Sequence, residues 1–316
     1  MDWYRLRLQT ASPTATPWQA DTIFGHLCWA LVFLEGEDFL RTFLELYDLG
    51  EPPLVLSNGF PGDLLPRPLL GGQPASRAGD SDADQETYRR GKELRRAIWL
   101  TESEFDRARR GEEVTPRAES PWRNVVTMHN QINRVTGTTG EEGSLYARES
   151  QALAGPGHNG EESYGSVTVY ALVDPGFTNT LQRCLDYLGA TGYGKRKSVG
   201  FGALSKPEPE RFAGFPPIDG ANGFMSLSNF VPAKGDPVRG AWRTLVKRGK
   251  LGEHLARTDN PFKRPVVMLE AGSCFYDSPV RSFYGRLVKD VHDGRREIVQ
   301  YGLALPVPIR LPEGRS

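Results

Sequence analysis

GATGYGKRKSVGFGAL, residues 189–204, is the stretch of this 316-residue sequence in which chemistry is most concentrated. Gly189, Gly192, Gly194, Gly200 and Gly202 surround the contiguous cations Lys195, Arg196 and Lys197, with Ser198 behind them and Tyr193 and Phe201 flanking. Glycine lets backbone N–H groups approach phosphate oxygens, adjacent cations neutralise them, and aromatic rings can stack on bases. The stretch reads as a cradle for a phosphate backbone; a mobile, solvated loop is the plainer reading of the same residues. Gly189-x-x-x-x-Gly194-Lys195 comes close to a nucleotide-binding P-loop. Arg196, however, stands where Ser or Thr would ligate magnesium, and the loop follows a helix and precedes a strand, the reverse of the P-loop order.

Upstream, the helical spacing of Leu181, Cys184, Leu185 and Leu188 predicts a helix over Phe177–Leu188, preceded by strands over 125–135, 145–152 and 167–173. GTTGEEG, residues 137–143, forms the tip of a hairpin between the first two. At the N-terminus, Trp3–Leu8 alternates as a half-buried strand. After the turn-rich SPTATPW, Asp21 caps a helix carrying Ile23, Phe24, Leu27, Cys28, Leu31 and Leu34, which Gly36 ends. Asp38 starts a second helix with Phe39, Phe43, Leu44 and Tyr47 inward, ended by Gly50. From Gly71 to about 120 the chain turns polar and Gly/Ser-rich, an insertion in which Thr101-x-x-Glu104 has the form of a capping box.

Beyond Pro216-Pro217 the candidate strands Gly223–Phe230, Pro265–Leu269, Phe283–Val291, Glu297–Tyr301 and Leu303–Val307 form a second, mostly β unit. Both halves fit a strand-helix-strand-strand-helix-strand plan, so the fold class is α+β with two ferredoxin-like units, residues 1–215 and 216–316. The formal charge of zero hides an asymmetry: residues 1–72 carry 4 basic and 9 acidic side chains, residues 216–316 carry 16 and 10. That split suits a C-terminal part that meets a polyanion. With 38% hydrophobic and 25% charged residues the chain is neither disordered nor fibrous. Cys28, Cys184 and Cys274 lie far apart without C-x-x-C, which indicates a reducing compartment, and nothing at the N-terminus reads as a signal peptide, so the expected location is the cytoplasm.

The order of an early strand, the helix ADTIFGHLCWAL (20–31), a long insertion, HNQINRVTGTTGEEGSLYARE (129–149) and GYGKRKSVGFG (192–202) resembles the RAMP proteins of type III CRISPR effector complexes, in particular the Cas5-like group. PFKRPVVMLEAGSCF (261–275) and IVQYGLALPVPI (298–309) extend the resemblance over most of the chain. It implies two ferredoxin-like (RRM-like) domains that hold the repeat-derived 5′ handle of the CRISPR RNA, without catalysis. The glycine-rich loop would lie against the guide through Gly192, Tyr193, Gly194, Lys195, Arg196, Lys197, Ser198, Gly200, Phe201 and Gly202. A β-hairpin thumb, about 125–152, would contact it through His129, Asn130, Asn133 and Arg134. The implied protein partners are the large polymerase-like subunit and the backbone RAMP subunit, with target RNA met indirectly; no membrane, metal or cofactor is expected.

A second basic cluster, Arg239, Arg243, Lys247, Arg248 and Lys250, would line one face if helical, since Arg239, Arg243 and Lys247 are four apart. A solvated face accounts equally for it. His26 is the candidate general base of the runner-up reading, a metal-independent endoribonuclease that processes repeat RNA by 2′-hydroxyl attack; flanked by Gly25 and Leu27 on an apolar helix, it also reads as a packing residue. His158, His254 and His292 lack metal-ligand spacing, and Glu161-Glu162 sits between glycines in a solvated loop.

Overall fold

The computed structural model describes residues 1–70, 98–116, 120–132, 134–139, 145–153, 165–205 and 207–312; Asn133, residues 140–144 of the hairpin tip, His158, Glu161-Glu162 and most of the expected insertion lie outside them. Along the chain come β1 (Asp2–Gln9), α1 (Ala20–Glu35), α2 (Glu37–Asp48), β2 (Leu54–Pro61), β3 (Leu65–Pro66), β4 (Trp99–Leu100), α3 (Glu102–Arg109), β5 (Trp122–Asn130), β6 (Leu145–Leu153), β7 (Ser166–Val173), α4 (Thr178–Thr191) and β8 (Glu208–Arg211). Then follow β9 (Gly223–Ser226), β10 (Gly240–Ala241), β11 (Thr244–Lys247), β12 (Val266–Leu269), β13 (Cys274–Tyr276), β14 (Tyr284–Gly285), β15 (Leu303–Ala304) and β16 (Pro306–Ile309). The fold mixes helices with several small antiparallel sheets, as an α+β class requires. No helix among the described residues is long and apolar enough to cross a membrane.

The first sheet has the order β2-β7-β1-β8, all antiparallel, with α1 and α2 between its first two strands in sequence and α4 between its last two. Its period-2 alternation decides what each face meets. Leu6, Leu8, Val167 and Val169 share one face and join Phe24, Leu27, Leu181 and Leu188 of α1 and α4 in the core. On the other face the Arg5 guanidinium lies over Tyr170 and Phe212, and α3 closes that side with Phe105 against Phe215. Burying Ile23, Phe24, Leu27 and Leu31 on α1 contributes about 1.5–3 kcal/mol each.

In this first sheet two strands went unread in the sequence. β2 is a buried run broken by Asn58 and Gly59, where its register against β7 shifts, and β8 (EPER) is a charged edge strand whose glutamates and arginine hide any alternation. Asp21 does not cap α1. Gln19 stands at the N-cap, Asn58 Oδ1 accepts from the Ala20 N–H (3.0 Å), and Asp21 lies inside the first turn, bound by Lys247 Nζ (3.0 Å) and Gln300 Nε2 (2.6 Å). Thr101 does cap α3, and its box with Glu104 is complete.

The second sheet, β10-β13-β9-β16, repeats the strand order of the first, but the segments that connect its strands, 227–239 and 277–305, contain no α-helix among the described residues. The helix that would have aligned Arg239, Arg243 and Lys247 is not there: β10 and β11 occupy the segment, and β11 pairs with β12. Thr244-Leu-Val-Lys is β-branched at Thr244 and Val246 and lies between Gly240 and Gly249, which favours a strand. The two halves interlock along β2. Tyr301 Oη accepts from the Leu56 N–H (2.9 Å), the Asn58 N–H donates to the Leu227 carbonyl (2.9 Å), and Asn58 Nδ2 donates to Asn229 Oδ1 (3.1 Å). One hydrophobic cluster runs from Leu27 and Leu56 through Leu227, Leu303 and Leu305.

Candidate nucleic-acid interface

The glycine-rich loop leaves the end of α4 at Gly192 and folds back on the segment between β1 and α1, residues 11–19. That strap, read from sequence as a mere turn, holds the loop along its length. Gly202 N–H donates to the Pro13 carbonyl (2.9 Å), Ala203 N–H to Ser12 Oγ (2.9 Å), Lys195 N–H to Thr16 Oγ1 (3.0 Å) and Tyr193 Oη to the Pro17 carbonyl (2.6 Å), while the Ala203 carbonyl accepts from the Ala11 N–H (2.8 Å). The Tyr193 ring also stacks on Trp18, centroids 3.7 Å apart. Tyr193 and Phe201 are buried, so neither can stack on a base, contrary to the expectation from sequence. The glycines likewise serve the chain itself: a Cβ at Gly202 would lie 1.9 Å from the Tyr193 carbonyl oxygen, and one at Gly194 2.8 Å from Thr16 Cβ.

His26 is the loop's other anchor. Its Nε2 accepts from the Gly194 N–H (2.9 Å), which engages the lone pair a general base would use. Burial, reinforced by the nearby Lys197 ammonium, pushes its pKa down from 6.5 to about 4. The folded protein therefore resists a proton that the unfolded chain accepts. The stability this interaction gives is present above pH 6.5 and is lost as the pH falls toward 4. Between pH 7 and 5 the wild type is expected to lose on the order of 2 kcal/mol more than His26→Gln, whose amide oxygen keeps an acceptor but does not titrate. Denaturant midpoints of the two proteins at both pH values check this; parallel pH dependence would refute it.

Of the three contiguous cations, two face solvent. Lys195 and Arg196 are exposed and have no ion-pair partner among the described residues, and Arg196 holds a left-handed φ of 66° that turns the loop outward. Lys197 is half-buried and paired with Glu253 (2.6 Å). Ser198 and Gly200 lie exposed beside them. The C-terminal cluster divides in the same way. Arg239, Arg243 and Arg248 are exposed, with Arg239 over the Tyr276 ring and Arg248 over Phe262, whereas Lys247 turns inward to Asp21, Gln19 and Thr22 and latches the two halves together.

β5 and β6 pair along their whole length, Trp122 opposite Leu153 through Asn130 opposite Leu145, to give the expected hairpin. It stands on the strap: Thr14 and Gln151 exchange both backbone hydrogen bonds (2.8 Å each). His129 stacks on its cross-strand partner Tyr146 (5.7 Å), and Arg148 lies over the same ring and donates to Tyr146 Oη (2.8 Å). Asn130 and Arg134 are exposed. Tyr146 and Arg148 were missed as site residues, although their period-2 spacing on β6, opposite His129 and Thr127, was a readable signal. The strap thus joins the loop of Lys195 and Arg196 to the root of the hairpin, on which the Tyr146 ring is stacked with His129 and covered by Arg148.

No family model matches the chain. In sequence it is 28% identical over 302 residues, 94% of this chain and 93% of the relative, to the CRISPR system protein Csm4 of Thermococcus onnurineus (strain NA1). Among solved structures, a chain of a Csm1-Csm4 cassette in complex with cA4 aligns with a TM-score of 0.63 at 22% identity, over 99% of this chain and 100% of that one. A chain of a Csm3-Csm4 subcomplex of the type III-A CRISPR-Cas interference complex aligns at 0.55 and 14% identity, over 97% and 99%. The chain is thus similar in sequence to Csm4 over nearly its whole length, and it shares its fold with chains of the Csm1-Csm4 and Csm3-Csm4 assemblies.

Proposed function

We propose that the protein is a non-catalytic subunit of a type III CRISPR interference complex that grips the repeat-derived 5′ handle of the CRISPR RNA and links the large subunit to the backbone RAMP filament. The observation that carries the RNA reading is the pair Lys195 and Arg196, exposed and unpaired among the described residues, on a loop held rigid by the strap and His26. Rigidly placed cations hold phosphates without the ordering cost of a free loop. The absence of catalysis is supported by His26, whose lone pair is engaged by the Gly194 N–H. Relatives solved with Csm1 and with Csm3 support docking on a large subunit and on a backbone subunit. The first sheet with α1, α2 and α4 fits a ferredoxin-like unit, and the second sheet fits a variant of the same strand order without helices. Expressed with its neighbouring genes, the protein is expected to co-purify in a multi-subunit particle with RNA of uniform 5′ end. A particle that assembles without RNA would refute the handle-binding role, and repeat cleavage by the isolated protein that disappears in His26→Gln would establish the nuclease instead.

A further inference from the structure

The junction between the halves holds two lysines and one carboxylate, and it serves the lysines unequally. Lys247 Nζ has an acceptor for each of its three N–H groups, all at the start of α1: the Asp21 carboxylate (3.0 Å), Thr22 Oγ1 (3.2 Å) and Gln19 Oε1. Lys263 Nζ meets two acceptors among the described residues, both uncharged: the Val299 carbonyl (2.6 Å) and Gln300 Oε1 (3.1 Å). A neutral amine has two N–H groups and an ammonium three, so these two acceptors satisfy the amine and leave one N–H of the ammonium over. The stem of Lys263 is half-buried, but its ammonium ends against Gln300, which is 2% exposed. The Gln300 amide in turn donates from Nε2 to Asp21 Oδ2 (2.6 Å), so the two lysines and the carboxylate form one cluster.

The charges agree with the hydrogen bonds. Asp21, whose side chain is 4% exposed, is already neutralised by Lys247, so a charged Lys263 is a second cation against one anion where little water reaches. Facing Lys263 are Asp21 and Cys28 of α1 and Lys247 of β11. Asp21 favours its charged form, Lys247 opposes it, and the Cys28 thiol, pushed up to about 12 by burial, stays uncharged at pH 9 and below. Burial outweighs these neighbours and lowers Lys263 from 10.5 to about 8. We propose that the cluster is a proton-linked joint, which holds the two halves most firmly when Lys263 is a neutral amine and loosens when Lys263 takes up a proton. Closed, the joint gives up that proton above about pH 8; opened to water, Lys263 keeps it up to 10.5. The closed form therefore gains on the open one as the pH rises between those values, and the gain is absent below them. The effect reaches β2 directly, because Tyr301, the neighbour of Gln300, accepts from the Leu56 N–H (2.9 Å). The proposal goes beyond the RNA-binding reading and does not rest on it.

Amide hydrogen exchange of the full-length protein at pH 7 and pH 9, each rate expressed relative to the free amide at that pH, provides the test. In peptides covering residues 54–61 and 298–305, protection in the wild type is expected to rise between the two pH values about tenfold more than in Lys263→Met, the factor that a shift from 10.5 to about 8 produces over that interval. Peptides of the β5-β6 hairpin, which carries no group of the joint, should show no such difference between the two proteins. Lys263→Arg keeps a cation that does not titrate in this range, and it too should lack the alkaline gain; it serves as the second variant where Lys263→Met does not fold. An equal rise in wild type and variants overturns the joint, since the gain then comes from groups other than Lys263. A difference of the same size in the hairpin peptides overturns it as well, because the proton then acts on the whole chain rather than between the halves.

Discussion

Gly202→Ala is expected to destabilise the protein by roughly 3 kcal/mol or more and to free the glycine-rich loop from its strap. Its φ of +66° is unfavourable for any residue with a Cβ, and the added carbon would lie 1.9 Å from the Tyr193 carbonyl oxygen and 2.9 Å from its carbonyl carbon. Neither neighbour can give way. Both are backbone, and Gly202 is itself bonded on both sides, its N–H to Pro13 and its carbonyl to the Tyr193 N–H (2.8 Å). Relief requires Tyr193 to move, which breaks its stack on Trp18 and its hydrogen bond to Pro17. The control lies two residues away. Gly200 also has a positive φ, +91°, but nothing stands within 4 Å of its added carbon, so Gly200→Ala should cost only the conformational penalty, on the order of 1–2 kcal/mol. Thermal unfolding separates the two variants, and the near-ultraviolet circular dichroism of the Trp18-Tyr193 stack should be lost in the first and kept in the second. Equal destabilisation would mean that backbone conformation, rather than close approach, sets the need for glycine at this loop.

The same contrast explains why the loop was legible as a site and misread in its parts. Composition marks where backbone comes close to something, but not to what: Gly194 and Gly202 approach Thr16 and Tyr193, not a phosphate. Tyr193 offered a ring for stacking, and Trp18, 175 positions earlier in the chain, took it; no local pattern records a partner at such separation. Alternation and capping, which depend on near neighbours, were read correctly in β1, in the Thr101-Glu104 box and in the β5-β6 hairpin. The basic run from Arg239 to Lys250 failed for a related reason. Spacing of four is compatible with a helix face, but the β-branched residues and flanking glycines favour a strand, and the inward turn of Lys247 is decided by Asp21 on α1. Charge counted along the sequence therefore overstates what is free to meet RNA, since part of it latches the two halves together.

That distinction fixes the order of effects among the three contiguous cations. Lys195→Ala combined with Arg196→Ala is expected to weaken binding of single-stranded RNA by tens of fold at moderate salt and to make the salt dependence shallower by about 0.7 for each phosphate no longer neutralised, close to 1.4 in all, because each released counterion contributes separately. Lys197→Ala should leave that slope nearly unchanged, since its ammonium is already neutralised by Glu253 at 2.6 Å and only half-exposed. Its removal should register in stability, and modestly, as for other ion pairs near a surface. Glu253→Gln frees Lys197 without removing it, and that variant is expected to bind RNA more tightly than wild type with a steeper slope. Filter-binding titrations from low to high salt, on RNAs of two unrelated sequences, supply every slope needed. If Lys197→Ala flattened the slope as much as Lys195→Ala, the Glu253 pair would not persist against phosphate, and all three cations would act as one cradle. If the double variant changed affinity for one sequence only, the loop would be reading bases, which two cations on a left-handed turn, with their neighbouring rings buried, have no groups to do.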